Sequence, residues 1–309
     1  MNIVIYGTGG VGGYFGARLA QAGNNVTFIA RGKHLEAIRQ KGLQLKSIKG
    51  NYLVYPASAT SNISEVNNID LILVCVKTWQ LFEVAEKIKP ILNKNTIVIS
   101  LLNGVDNTDV LCNIINEQHV LGGLCKVVSK VEDYGVINHL SYEPTIVFGE
   151  LSNVHTERAL EVEKIFLKAG ITTKLASDIQ KEIWTKFLFI STVSAIGALT
   201  RATIGEMITS PRIKEIMYKT AQEILSISKA KGVNLPENII EKQFQVIENQ
   251  PFHTTSSLQR DMMEGKPSEL EAQNGTIVKM GIELGIPTPV NDFIYSCLLP
   301  QENKARGLS

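Results

Sequence analysis

Asn2-Ile3-Val4-Ile5-Tyr6-Gly7-Thr8-Gly9-Gly10-Val11-Gly12-Gly13 follows the initial Met1, and its reading decides the fold. Residues 2–6 are a short apolar run with β-branched members, long enough for one buried strand. Residues 14–22 read as a helix, with Val11, Phe15, Leu19 and Ala20 on one stripe. Gly23-Asn24-Asn25 closes that helix, and residues 26–30 read as a second strand. The result is a βαβ unit with G-x-G-x-x-G at Gly7, Gly9 and Gly12, in the strand-to-helix position the motif requires. Gly7 would make the tight turn, Gly9 would let the backbone approach a pyrophosphate, and Gly12 would let helix and strand pack closely. Thr8, Gly10 and Val11 complete the loop, and the helix start would offer unpaired N–H groups and a positive dipole end to phosphates. A glycine-rich turn can be purely structural. With strand, helix and second strand all in register, dinucleotide binding is the better reading.

The end of the second strand bears on which dinucleotide. An NAD site usually places Asp or Glu there to hold the ribose 2′-hydroxyl. This chain has Ala30-Arg31-Gly32-Lys33 and no carboxylate before Glu36. A guanidinium suits a 2′-phosphate through paired, charge-assisted hydrogen bonds. The cofactor expected is therefore NADP (NADPH), unless Arg31 is only a solvated loop charge.

The 309 residues are long for one domain, and 44% hydrophobic with 20% charged residues is an ordinary globular balance. A net charge of +1 gives no reason to expect nucleic acid or an anionic membrane as partner. Cys75, Cys112, Cys125 and Cys297 are scattered without a C-x-x-C, which reads as free thiols in a reducing cytosol. The five histidines show no metal-ligand spacing, so no metal is assigned. Met1 runs straight into a strand, with no basic segment or cleavage site of a signal peptide. Residues 187–199, the most apolar later stretch, are fewer than the ~20 a spanning helix needs. A cytoplasmic protein, monomer or homodimer, is expected.

Beyond Arg31, residues 34–41 read as a helix, and 43–48 and 52–57 as a strand pair turning at Lys49-Gly50-Asn51. Residues 70–76 are continuously apolar, the mark of a strand covered on both faces. They run into Lys77, at the carboxyl edge where such sheets bind ligands. Residues 81–91 read as a helix and 96–100 as another buried strand, followed by Asn103-Gly104 at the same edge. An Asn-Gly is often only a turn, but this position makes Asn103 a site candidate. Further strands are read at 120–131, 135–140, 145–149 and 171–175, with a helix at 157–169. From Ser177 onward the apolar period is helical. Ser177-Asp178-Ile179-Gln180 has the form of a capping box, and helices are read to Leu199, over 212–231, over 236–249 and over 268–284, the last ended by Gly285, Pro287 and Pro289. The expected architecture is an α/β Rossmann-type domain over 1–175 followed by an all-α domain over 176–309, packed around a cleft.

Lys186 sits among Ile183-Trp184-Thr185 and Phe187-Leu188-Phe189-Ile190. A lysine there can be a proton donor held in apolar surroundings, or one that snorkels to water; spacing does not choose between them. Glu269, after Ser268, can be a site residue or a first-turn carboxylate favoured by a helix dipole.

The glycine motif, Arg31-Gly32, Val76-Lys77, Asn103-Gly104, Trp184-x-Lys186, Ser256-Ser257, Ser268-Glu269, Asn274-Gly275 and Gly285-Ile286-Pro287-Thr288-Pro289 come in an order that resembles the ketopantoate reductases (2-dehydropantoate 2-reductases) along the whole chain. The resemblance implies NADPH-dependent reduction of ketopantoate, a small 2-oxo acid, to pantoate for pantothenate synthesis. By matching position it implies Lys186 as general acid and Glu269 as the contact to the substrate hydroxyl that also helps set the lysine. It further implies Ser257 on the substrate carboxylate, Asn103 between nicotinamide and lysine, and Arg31 and Lys77 on the 2′-phosphate. Three positions depart from the family pattern. Ile190 and Ser194, one and two turns beyond Lys186, and Thr254, three residues before Ser257, stand where the family often has Asn. These departures leave open a same-fold reductase of another small 2-oxo acid or ketone, while a non-catalytic NADP-sensing protein is the reading from another class.

Overall fold

The computed structural model describes residues 1–308. The chain divides into two compact units. The first comprises Met1–Leu102 and Asp106–Ile179; the second comprises Asn103–Val105 and the chain from Gln180.

Among the described residues of the first unit, ten strands form one sheet. They are β1 (Asn2–Tyr6), β2 (Asn25–Ile29), β3 (Leu43–Ser47), β4 (Tyr52–Val54), β5 (Ser58–Thr60), β6 (Leu71–Val74), β7 (Ile97–Ser100), β8 (Val120–Asp133), β9 (Val136–Gly149) and β10 (Thr172–Leu175). The spatial order is β4-β3-β9-β8-β7-β6-β1-β2-β5, with β10 on β9. The stretch from β8 to β5 is parallel throughout. Chain order reverses between β1 and β6, so the topological switch point of a Rossmann-type sheet lies beyond Tyr6 and Val74.

Helices cover both faces because the central strands are apolar on both sides. Ile3, Ile5, Leu71, Leu73 and Ile99 pack in one core with α1 (Gly10–Gln21), α2 (Gly32–Lys41) and α5 (Glu157–Lys168). The alternate residues Val4, Tyr6, Ile72, Val74 and Val98 pack in another with α3 (Leu81–Ile88) and α4 (Asn107–Ile114). Period-two alternation thus feeds two separate cores from one set of strands.

Several sequence expectations need adjustment here. The first helix starts at Gly10, not at residue 14, because the glycines themselves form its first turn. The helix read over 81–91 stops being α at Ile88 and tightens into a 3₁₀ turn at Lys89–Ile91, since Pro90 has no N–H to continue the ladder. Residues 135–140 and 145–149 are one strand, β9. Between the pairs Lys126↔Thr145 and Val128↔Ser141 it advances four residues while β8 advances two, a bulge that includes Tyr142 at φ +66°.

The second unit is helical, as expected. It holds most of α6 (Ile179–Thr200), then α7 (Ile204–Thr209), α8 (Pro211–Ala230), α9 (Ile239–Glu248), α10 (Ser257–Met263), α11 (Thr276–Leu284) and α12 (Pro289–Arg306). Met217, Ala221, Ile224 and Ile227 form the buried stripe of α8, which touches α7, α9, α11 and α12. Gln259 of α10 packs on Gly197 of α6, where a Cβ would lie 2.7 Å from its Oε1.

Helix α6 begins at Ile179, two residues beyond Ser177. At 22 residues it is long and apolar enough to cross a membrane, so the expectation of a stretch too short was wrong. What marks α6 as a core helix is that 67% of its most apolar part is buried inside the structure. The helix read over 268–284 starts later, as a π turn over Glu271–Gly275 that runs into α11. Pro289, read as a terminator, instead occupies the first position of α12, where its missing N–H costs nothing.

Candidate active site

Two groups of the predicted residues are held by well-defined local geometry. The first is the turn between β1 and α1. Gly7 has φ +103°, a conformation that disfavours a side chain. A Cβ there would also lie 2.9 Å from the Cys75 carbonyl. The amides of Gly7 and Thr8 and the Thr8 hydroxyl all donate to the Ile29 carbonyl, at 3.3, 3.2 and 3.0 Å. Thr8 is therefore a tie to β2. At Gly12 a Cβ would be 2.1 Å from the Gly7 oxygen, and at Gly10 it would be 2.4 Å from the Ser129 oxygen of β8. Gly9 differs: beyond its own chain neighbours, nothing lies within 4 Å of its would-be Cβ. It precedes α1 in extended conformation, with no side-chain cap on the helix and no acidic residue in the first turn. Val11, half-buried, leans on the core from the first turn. A helix start with open space at Gly9 and no carboxylate in its first turn fits a pyrophosphate.

His34, which sequence reading passed over, holds this turn from α2. Its Nδ1 accepts from the Gly135 amide at 3.0 Å, so Nε2 carries the proton and donates to the Thr8 carbonyl at 2.8 Å. Burial holds its titration below the usual histidine range, against the pull of the Thr8 carbonyl. The only sequence signal was a histidine in the first turn of a helix directly after Arg31.

Arg31 lies two residues beyond β2 and directly precedes α2, with its side chain 59% exposed and Nη2 3.8 Å from Glu83 on α3. Burial pushes the Tyr6 hydroxyl upward, while the Lys87 and Arg31 cations nearby pull the other way and burial prevails. Lys77 follows β6 and Cys75-Val76 at the switch point, its Nζ 5.9 Å from the centre of the Trp79 ring. Both cations are thus at carboxyl ends of parallel strands, where the sequence placed them. Cys75 is not a chemical candidate, because burial holds its thiol well above the ordinary range.

The second group lies in the helical unit. Lys186 Nζ donates to Asn103 Oδ1 at 2.8 Å, and Asn103 Nδ2 donates to Glu269 Oε2 at 2.8 Å. One amide therefore links an ammonium to a carboxylate, and its orientation is fixed because oxygen must face the lysine and nitrogen the glutamate. Glu269 is 7% exposed and precedes the π turn, so it is not a first-turn carboxylate of that helix. Lys186 is half-buried and engaged by Asn103, which counts against the snorkelling alternative.

The remaining predicted residues stand as follows. Ile190 is half-buried and Ser194 is buried, one and two turns along α6 from Lys186. Ser257 is exposed at the first position of α10, while its neighbour Ser256 caps that helix by accepting from the Gln259 amide at 3.1 Å. The Thr254 backbone is tied into α7, its carbonyl accepting from the Ile204 amide at 2.9 Å. Sequence reading missed Glu302 and Arg306, which hold Ser268 beside Glu269.

Comparison with known proteins covers almost the entire chain. Residues 3–153 match the family model described as ketopantoate reductase PanE/ApbA, and residues 178–302 match its C-terminal counterpart. The chain is 30% identical over 298 residues to an uncharacterized oxidoreductase, YkpB, of Bacillus subtilis (strain 168), covering 96% of this chain and 98% of that one. It is 27% identical over 297 residues to a 2-dehydropantoate 2-reductase of Nostoc sp. (strain PCC 7120), with 94% and 92% covered. Among solved structures, a PanE/ApbA family ketopantoate reductase from Ralstonia eutropha JMP134 superposes with a TM-score of 0.91 at 31% identity, over 99% of this chain and 100% of that one.

Proposed function

This chain belongs to the ketopantoate reductase family, and we propose that it reduces the C2 ketone of ketopantoate to the alcohol with NADPH, for pantothenate synthesis. The observation that carries the reading is the hydrogen-bonded run Lys186–Asn103–Glu269. In this reading residues 1–175 form the cofactor domain and residues 176–309 the catalytic one. NADPH, when bound, supplies the hydride. Lys186 places a cation and a transferable proton where negative charge develops on the ketone oxygen. Asn103 aims the ammonium, since its own amide is anchored on Glu269. Glu269 keeps lone pairs beyond the one Asn103 uses and takes the substrate hydroxyl, while Ser257 takes the carboxylate. The loop Gly7, Thr8, Gly9, Gly10, Val11 and Gly12 would hold the pyrophosphate, with Arg31 and Lys77 on the 2′-phosphate. Four free cysteines support a reducing, cytoplasmic setting. The test is NADPH oxidation by the purified protein against branched and unbranched 2-oxo acids; turnover confined to acids unlike ketopantoate would overturn the substrate, and no turnover at all would overturn the enzyme.

Arg31→Ala should cut the preference for NADPH over NADH by the worth of charge-assisted hydrogen bonds, about 1.5–3 kcal/mol, or roughly ten- to hundredfold. Glu83, 3.8 Å away, already competes for the guanidinium, which puts the expectation at the lower end. The ratio of kcat/KM with the two cofactors measures it, and equal use of both by the unmodified protein would remove NADP as the cofactor.

A second reading, a reductase of a different 2-oxo acid, is favoured by Ile190, Ser194 and Thr254 in place of the family's amides. At Ile190 an amide donor and acceptor give way to an apolar wall. Ile190→Asn should therefore raise kcat/KM for ketopantoate relative to a 2-oxo acid lacking the hydroxyl, by the worth of one hydrogen bond, about 0.5–1.5 kcal/mol. Taking a ratio between two substrates cancels general damage to folding. A ratio that stays put or reverses means Ile190 does not face the hydroxyl.

A further inference from the structure

A buried carboxylate that takes no part in the chemistry above stands one residue from the site. On α12 the buried residues are Asn291, Ile294, Leu298 and Glu302. Glu302 thus continues an apolar stripe with a charge, at 1% exposure. A buried carboxylate is costly unless its lone pairs are used, and here they are. The Ser268 amide donates to both Glu302 oxygens at 3.0 Å, the Ser268 hydroxyl donates to Oε2 at 2.6 Å, and Arg306 Nε donates to Oε1 at 2.5 Å.

Arg306, one turn further on, closes the clamp from the other side: its Nη2 donates to the Ser268 carbonyl at 2.7 Å. The Leu270 amide donates to the Ser268 hydroxyl oxygen at 3.2 Å. The peptide on each side of Glu269 is therefore tethered, the preceding one by Arg306 at its carbonyl and the following one by Ser268 at its amide. Gln301 fastens the same end of α12 to the Met262 carbonyl of α10 at 2.6 Å. The backbone that carries Glu269 owes its position to these bonds, because the regular π turn begins only at Glu271.

The geometry points to Glu302 as a positioning residue for the reaction: with Arg306 it clamps Ser268 and so holds the Glu269 carboxylate on Asn103 and toward the substrate hydroxyl. The inference deepens the proposed function and rests on Glu269 being a substrate contact. In Glu302→Gln one oxygen becomes an N–H donor facing other donors, so the clamp should open and Glu269 should lose its register.

The experiment is steady-state kinetics on Glu302→Gln and Ser268→Ala, each alone and combined with Glu269→Gln. The substrates are ketopantoate and a branched 2-oxo acid without the hydroxyl, with NADPH affinity measured alongside. Glu302→Gln should lower kcat/KM for ketopantoate about tenfold, through KM as the hydroxyl contact loosens and through kcat as Asn103 loses its anchor; the other substrate should lose only the kcat part, and NADPH affinity should not change. In the Glu269→Gln background the same change should cost less than about twofold. Ser268→Ala keeps the bonds of the Ser268 amide and carbonyl and the Glu302–Arg306 pair but releases the Leu270 amide, so it should fold normally and show the same pattern at reduced size. Equal losses on both substrates, or an undiminished loss in the Glu269→Gln background, would make Glu302 merely structural and overturn the inference while leaving the proposed function standing. A Glu269→Gln variant as active as the unmodified protein would remove Glu269 from the site, and this inference with it.

Discussion

Lys186→Ala is expected to lower kcat by about 10²–10⁴-fold, the usual cost of losing a positioned general acid, with NADPH affinity nearly unchanged. The expectation follows from the environment of the ammonium. Its bond to Asn103 Oδ1 at 2.8 Å is the first link of a run that ends on a buried carboxylate. That run fixes where Nζ points before substrate arrives, and preorganised charge contributes more than charge that must be ordered during the reaction. Without Lys186 the Asn103 amide keeps its anchor on Glu269, so the rest of the site should stay in place. Lys186→Arg would keep the charge but replace a compact ammonium with a planar fork that deprotonates far less readily, so it should recover little activity. Single-turnover NADPH oxidation separates the chemical step from binding. A Lys186→Ala variant with near-normal turnover would return Lys186 to the role of a buried-stem lysine, and the mechanism would need another acid.

The two groups of candidate site residues differ in how far they could be read from sequence. The β1–α1 turn was legible because each of its constraints is local: an apolar strand, glycines at set offsets, and a second strand that closes the unit. Arg31 and Lys77 were legible for the same reason, since each follows an apolar strand. Lys186, Asn103 and Glu269 are brought together over separations of 83 and 166 residues, and no local pattern encodes such contacts. Helix α6 adds to the difficulty. It is apolar almost all round, so periodicity names no face for Lys186. Only the resemblance to the family pointed to the three residues as a set.

Helix α12 was missed for a different reason. Pro287 and Pro289 after Gly285 satisfy the rule for a helix stop, but Pro289 satisfies equally the rule for a first helical position. With α12 unread, the spacing of Ile294, Leu298 and Glu302 carried no meaning. Read as a helix, it places a carboxylate in a core stripe, which is a signal available from sequence. The π turn at Glu271–Gly275 had no such signal: the Gly275 amide reaches back to the Leu270 carbonyl at 3.1 Å, and the Thr276 hydroxyl covers the Glu271 carbonyl at 3.0 Å. Those choices depend on how α11 and α12 pack, not on the composition of five residues.

Gly9→Ala and Gly12→Ala should fail in opposite ways, and the contrast tests the cofactor assignment without any assay of turnover. At Gly12 a methyl group would sit 2.1 Å from the Gly7 carbonyl oxygen, 2.8 Å from Ile5 and 2.9 Å from the Cys75 Cβ. Ile5 belongs to the centre of the sheet, and Gly7 and Cys75 directly follow its strands β1 and β6, so helix and strand must separate. Overpacking of this kind costs about 1–3 kcal/mol, which for a unit of this size lowers Tm by roughly 2–4 °C per kcal/mol. The Gly12→Ala protein should therefore melt early and bind NADPH poorly, because the turn itself is deformed. At Gly9 the methyl group would meet nothing within 4 Å beyond its own chain neighbours, and the backbone there, at φ −82°, is open to any residue. Without cofactor the Gly9→Ala protein should melt within about 0.5 kcal/mol of the unmodified one. If the open space at Gly9 is where a pyrophosphate approaches the backbone, the same methyl group should weaken NADPH binding by about tenfold or more. Isothermal titration with NADPH, paired with melting curves taken with and without it, separates the two effects. Unchanged affinity in Gly9→Ala would mean that the space serves no phosphate, and the glycine turn would then be only the packing device that Gly12 makes it.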